Sequence, residues 1–136
     1  MSLSHTVESI VSRNVLCCPP GMTVAQAAQA MCEALCGSIV VVDDSGTPVG
    51  IWTETDAIKL DLRQADSANR SMAEVMSAPV LGVALDCSLP DATRMLMEHN
   101  VRHLIVRNGD GQMVGVVSAT DILLNQDAEL FLRMKQ

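Results

Sequence analysis

Aromatic side chains are almost missing from this chain: it has one Trp, one Phe and no Tyr. A packed interior must therefore come from Val, Ile, Leu, Ala and Met, and an apolar fraction of 49% supplies enough of them. Basic residues are scarce as well. Nine Lys and Arg face sixteen Asp and Glu, for a formal net charge of −7. That balance argues against the basic face that a nucleic-acid backbone requires, and no basic run interleaved with aromatics is present to hold a single strand. Long apolar runs are lacking too: the stretch 38–42 is strand-sized and far short of a membrane span. Met1-Ser2-Leu3-Ser4-His5 has no basic segment followed by an apolar one. No signal peptide is expected, and a cytoplasmic location is the default. The length of 136 residues is one domain's worth.

Five cysteines, Cys17, Cys18, Cys32, Cys36 and Cys87, form no regular framework, and their odd number suits a reducing compartment. Cys32 and Cys36 stand four apart on an expected helix and would make half a metal site. No Cys/His pair completes the ligand set, so they read as small buried hydrophobes and no metal is expected. Catalysis is not expected either. No Ser/His/Asp order, glycine-rich phosphate loop or metal spacing occurs, and Cys17-Cys18 has no base in reach along the chain.

What the chain does contain is a repeat. "GIWTETD" at Gly50–Asp56 returns as "GVVSATD" at Gly115–Asp121, an offset of 115 − 50 = 65. At that offset residues 10–60 lie on 75–125 without a gap. Ser12/Ser77, Val15/Val80, Leu16/Leu81, Ala27/Ala92, Glu33/Glu98, Val41/Val106, Gly46/Gly111 and Asp56/Asp121 are identical pairs. Thr23/Ser88, Ile39/Leu104 and Thr53/Ser118 keep their chemistry. Two copies of one supersecondary unit follow, at a period longer than common solenoid repeats.

Each copy has one grammar. An extended piece is expected around Val15-Leu16 and Val80-Leu81. A helix follows, opened by Thr23 or Ser88 as N-cap. Val24, Ala28, Met31 and Leu35 recur at helical spacing, as do Leu89, Ala92 and Leu96. The β-branched runs Ile39–Val42 and Leu104–Val106 predict strands covered on both faces. Asp43–Gly46 and Asn108–Gly111 are turns. Val49–Trp52 and Val114–Val117 pair back as hairpins, and helices begin at about Glu54 and about Ala119. The expected fold class is α/β (α+β), as β-α-β-β-α twice. Repeat 1 spans 10–60, a polar linker 61–74, repeat 2 75–125, and a C-terminal amphipathic helical run 126–136.

Ser or Thr followed three residues later by Asp reads first as a helix cap. Thr53 and Ser118 would cap, while Asp56 and Asp121 reach back and favour the helix dipole. The same geometry admits a second reading. Free backbone N–H groups and a hydroxyl favour an anion such as phosphate. An Asp one turn in can accept both hydroxyls of a ribose, and Gly50 and Gly115 leave room for close approach. Phosphate, diol and an adjoining apolar slot describe a nucleoside phosphate.

"VSRNVLCCPPGMTVAQAAQAM", "SIVVVDDSGTPVGIWTETD", "VMSAPVLGVALDCSLPDATRML" and "NVRHLIVRNGDGQMVGVVSATD" together resemble a tandem pair of CBS (cystathionine-β-synthase) domains over about residues 10–124. The resemblance implies a pseudo-twofold module with two clefts that take adenosine-containing ligands: AMP, ADP, ATP or S-adenosylmethionine. It implies that the Asp holds the ribose, that the Ser or Thr lies near the phosphate, and that a basic pair from the other copy completes the phosphate site. One implied cleft has Thr53 and Asp56 with Arg102 and His103. The other has Ser118 and Asp121 opposite Gly37 and Ser38, which carry no charge. Val40 and Ile105 stand where the family often has Pro. The resemblance further implies association as a homodimer through helices.

The expected function is a regulatory sensor, not an enzyme, that binds an adenine nucleotide and controls an attached or partner effector. It needs no cofactor beyond that regulatory ligand. The alternative is a ligand-free dimerisation or interaction scaffold, in which Asp56 and Asp121 are only caps. His99 is expected to complement a helix end, Trp52 to lie in the core or an interface, and the nine Met to act as adaptable packing.

Overall fold

A computed structural model describes residues 6–60, 64 and 66–125. The expected C-terminal run 126–136 lies outside the described residues. The chain divides into two compact units: Val15–Val80, and the residues up to Asn14 together with those from Leu81 on.

In the first unit, β1 (Cys17–Cys18), α1 (Val24–Ala34), β2 (Ser38–Val42), β3 (Pro48–Thr53) and α2 (Glu54–Lys59) follow in chain order, and α3 (Met72–Val75) comes later. In the second, β4 (Gly82–Ala84), α4 (Leu89–His99), β5 (His103–Arg107), β6 (Met113–Ser118) and α5 (Ala119–Asn125) repeat the order. The expected β-α-β-β-α pattern is present twice, as two three-stranded sheets ordered β1-β2-β3 and β4-β5-β6. The first pair of each sheet is parallel and the second antiparallel.

The central strands are buried on both faces, as their unbroken β-branched runs predict: Ile39, Val40, Val41, Leu104, Ile105 and Val106 are all at most 1% exposed. The hairpin turns share a device. Asp43 Oδ1 accepts from the N–H groups of Ser45 and Thr47, and Asn108 Oδ1 accepts from those of Asp110 and Gln112. Each turn is closed by a glycine at positive φ, Gly46 at 82° and Gly111 at 81°. Thr23 and Gln26 form a capping box at the start of α1, and Ser88 accepts from the Asp91 N–H at the start of α4. Both helices bury the same three positions: Val24, Ala27 and Met31 in α1, and Leu89, Ala92 and Leu96 in α4.

The first strand of each copy begins later than expected, at Cys17 and Gly82. Leu16 and Leu81 still take part through their carbonyls, which accept from the Val40 and Ile105 N–H groups at 2.9 Å each. Trp52 is 1% exposed and belongs to the core of the first unit. His99 is the last residue of α4.

The chain preceding each repeat is built into the other unit. Met72, from the segment before repeat 2, is fully buried in the first unit's core. Val7, from the segment before repeat 1, is fully buried in the second unit's core. These are equivalent positions, since 7 + 65 = 72, and each such burial contributes roughly 1.5–3 kcal/mol. Ser77 bridges to Ile51 and Ser12 to Val116, again at the common offset. The segment read as a polar linker therefore holds structure of its own: a 3-10 turn at Ser67–Asn69, and α3 within the first unit.

Candidate functional site

Two corners carry the candidate residues, each where the last strand of a sheet turns into a short helix. At the first, Thr53 ends β3 in an extended conformation (φ −128°, ψ 170°) and caps α2. The Thr53 N–H donates to Asp56 Oδ2 at 3.0 Å, the Thr53 hydroxyl donates to the same oxygen at 3.2 Å, and Thr53 Oγ1 accepts from the Asp56 N–H at 3.3 Å. At the second, the Ser118 N–H donates to Asp121 Oδ2 at 3.0 Å and Ser118 Oγ accepts from the Asp121 N–H at 3.0 Å. All four side chains are half-buried. The reciprocal cap read from the sequence is formed at both corners.

The cap leaves chemistry over. At the first corner it engages only Oδ2 of Asp56, and among the described residues no donor reaches Oδ1. A carboxylate has about four lone-pair positions, so capping and accepting from a ligand are compatible. The backbone seat expected for an anion is mostly filled instead. The Glu54 N–H donates to the Gly37 carbonyl at 3.1 Å and the Ala119 N–H to the Arg102 carbonyl at 2.9 Å. With the backbone donors of the caps, the N–H groups of residues 53, 54 and 56 at one corner and of 118, 119 and 121 at the other are spent within the protein. A phosphate here would depend on side chains.

Within the second unit, Arg102 and His103 come to the same end of the hairpin as Ser118 and Asp121. His103 is the register partner of Ser118 in the β5–β6 ladder, and Arg102 is exposed just before β5. In the first unit the equivalent places hold Gly37 and Ser38, with Ser38 opposite Thr53. Thr53 and Asp56 belong to one unit, and Arg102 and His103 to the other.

Gly50 and Gly115 were expected to give a ligand room. In each unit that space is taken by the protein. A Cβ on Gly50 would collide with the Met76 side chain, and one on Gly115 with the Ser12 carbonyl and Val11. Sequence reasoning also passed over Glu54. Its Oε1 lies 2.5 Å from where a Cβ on Gly37 would be. Matching Gly37 to Arg102 and Glu54 to Ala119 in the repeat alignment is the signal that would have drawn attention to it.

Three of the thiols, Cys17, Cys18 and Cys87, are made poorer nucleophiles by their surroundings. Burial pushes the pKa of Cys18 up to about 11, with the neighbouring Cys17 adding to it, and burial also raises Cys17. Cys87 is raised by burial and by the nearby carboxylates of Asp91 and Asp86. Among the described residues no group of three His, Cys, Asp or Glu gathers as a metal site would need, and no helix is long and apolar enough to cross a membrane.

Comparison with known proteins matches the same two stretches. The family model for the CBS domain fits residues 7–63 and 72–127. An uncharacterised 17.7 kDa protein of Acidianus ambivalens is 34% identical over 121 residues, 88% of this chain and 72% of that protein. An uncharacterised protein of Methanopyrus kandleri is 30% identical over 121 residues, and there the chain spans only 62% of the relative's length. Among solved structures, a conserved CBS-domain protein of unknown function from Thermoplasma acidophilum matches with a TM-score of 0.79 at 26% identity, over 96% of this chain and 76% of that one. CBSX2, solved in complex with AMP, matches at a TM-score of 0.72 and 24% identity over 97% of this chain and 99% of its own. The cytosolic domain of the Mg2+ channel MgtE, solved in complex with ATP, matches at 0.71 and 23% over 90% of this chain and 49% of its own. At those last two identities the likeness shows the fold. With the repeat, both sheets and both corners inside the two matched stretches, the chain belongs to the CBS-domain family and carries two copies of that domain.

Proposed function

We propose that the chain is a non-catalytic regulatory module that binds an adenine nucleotide and passes its occupancy to an attached or partner effector. The observation that carries this reading is the duplicated corner, in which a half-buried carboxylate is fixed in place by its own cap, at Asp56 through Oδ2 with Oδ1 left over. Asp56 and Asp121 accept from the ribose diol, and at the Arg102 end Ser118 lies beside the phosphate. Arg102 and His103 supply donors to that phosphate: Arg as a planar fork, His as a donor or, when protonated, a charge. The AMP and ATP complexes of the two distant relatives support an adenine ligand. AMP, ADP, ATP and S-adenosylmethionine all have the required diol.

A ligand regulates only through its differential affinity for two arrangements of the protein, and a ligand held by the folded but not the unfolded chain raises stability. The test is a titration of melting temperature with each of the four ligands. Binding at a hundred times Kd raises stability by about 2.7 kcal/mol. No shift with any of them at millimolar concentration contradicts the reading and favours the scaffold alternative.

The same proposal includes a homodimer. Ile58 in α2 and Leu123 in α5 occupy equivalent positions, are 84% and 57% exposed, and are joined by Leu124 at 75%. Sedimentation at tens of micromolar checks this, and a monomer contradicts it.

A further inference from the structure

The two hairpin ends are built alike in backbone and oppositely in charge. In each, the residue before the central strand gives its carbonyl to the first N–H of the following short helix: Gly37 to Glu54 and Arg102 to Ala119. In the second unit the strand position is cationic and the helix position neutral. In the first the strand position is a bare glycine and the helix position a carboxylate. Glu54 leans over Gly37, its Oε1 2.5 Å from the place a Cβ would fill, so it occupies the ground that the Arg102 side chain has in the other copy. The exchange replaces one positive charge by one negative charge at the same backbone site. Around it Ser38 and Thr53 bring no charge, and Asp56 brings a second negative one.

We propose that Glu54 is a specificity-determining residue that excludes anionic ligands from the Gly37 end of the first hairpin. That end accepts an adenosine ligand without an anionic phosphate, either a neutral nucleoside or a cationic one such as a sulfonium. The Arg102 end is then the one that holds the nucleotide phosphate. The proposal rests on the nucleotide reading above and assigns the ligand class by charge. Gly37 itself does not oppose a side chain. The three atoms nearest that place all belong to the flexible Glu54 side chain, so what blocks the position is a group that can move.

The test is calorimetry of AMP and of adenosine on the full chain, for wild type, Glu54→Gln and Ala119→Glu, at low and at high salt. Glu54→Gln keeps the shape and removes the charge. It is expected to raise AMP affinity at the weaker position roughly two- to fivefold, the span of an exposed charge pair. Adenosine affinity should stay unchanged, and the gain should shrink as salt screens it. Ala119→Glu is expected to lower AMP affinity at the Arg102 end by a comparable factor and again spare adenosine. Melting temperatures without ligand confirm that both variants are folded. If AMP and adenosine respond equally, or neither responds, while wild type still binds AMP, Glu54 has no such role and only this inference falls. If no variant and no wild type binds either ligand, the nucleotide reading falls with it.

Discussion

Ser77 and Ile51 exchange both of their backbone hydrogen bonds: the Ile51 N–H donates to the Ser77 carbonyl at 3.0 Å and the Ser77 N–H to the Ile51 carbonyl at 2.8 Å. Ser12 and Val116 do the same at 3.0 Å in each direction. The chain leading into each repeat thus lies against the last strand of the other, beside a glycine that lets it approach. Gly50→Ala and Gly115→Ala should both destabilise, within the 1–3 kcal/mol of an overpacked core. Gly115→Ala should cost more, because it meets the Ser12 backbone carbonyl, whereas Gly50→Ala meets a Met76 side chain that can swing aside. Chemical denaturation of the two variants checks the order.

Leu35 ends α1 in the left-handed conformation, at φ 55° and ψ 40°, with 93% of its surface exposed. The equivalent residue after α4 is Asn100, at φ 53° and ψ 46°. Left-handed backbone costs an ordinary side chain about 1–2 kcal/mol, and Gly or Asn much less. Leu35 loses almost no burial if replaced. Leu35→Asn should therefore raise stability by about 0.5–1 kcal/mol, and Asn100→Leu should lower it. Denaturant midpoints of the pair measure both.

Stability should fall at alkaline pH, and Cys18 should be one cause. The residue is 2% exposed, and its thiol pKa in the folded protein is about 11 against an ordinary 9.0. A raised pKa holds the proton in the folded state after the unfolded state has released it. The contribution is complete below about pH 9 and is lost as pH rises towards about 11. Denaturation across that window should give a flatter slope for Cys18→Ala than for wild type. Alkylation of Cys18 at pH 8 in the folded protein should be slow for the same reason.

Asp56 serves the cap through Oδ2, so its two roles separate by substitution. Asp56→Ala removes the cap bonds and should cost about 1 kcal/mol of stability together with ligand binding. Asp56→Asn keeps one oxygen for the Thr53 N–H and replaces the other by a donor, which cannot accept from a diol. It should melt near wild type and bind an adenine nucleotide more weakly, by a loss on the order of 1.5–3 kcal/mol for a charge-assisted bond. A variant less stable than wild type that still binds normally would leave Asp56 as a cap alone.

The hairpins, their turns and the caps were legible because they are local. Asp43 and Gly46 are three residues apart, as are Thr53 and Asp56, and the offset of 65 showed each pattern twice. The crossing of the segments was not legible. Val7 and Met72 look like ordinary apolar residues, and nothing in periodicity tells which copy's core they enter. The same blindness misassigned the role of Gly50 and Gly115: a glycine marks a close approach but not what approaches. The first strands were placed too early because Leu16 and Leu81 carry the apolar signal, whereas Cys17-Cys18 and Gly82–Ala84 carry the paired backbone. At the corners the cap bonds could be read from the spacing. The spending of the Glu54 and Ala119 N–H groups on neighbouring carbonyls could not, since it depends on how the hairpin end folds over the helix.

Calorimetry of AMP and adenosine against wild type and Arg102→Ala tests the central claim most directly. Phosphate recognition on a protein of net charge −7 depends on local cations. The account predicts saturable AMP binding that weakens as salt rises, and a loss on Arg102→Ala that is much larger for AMP than for adenosine. Equal losses for the two ligands, or no binding of either by wild type, would contradict it.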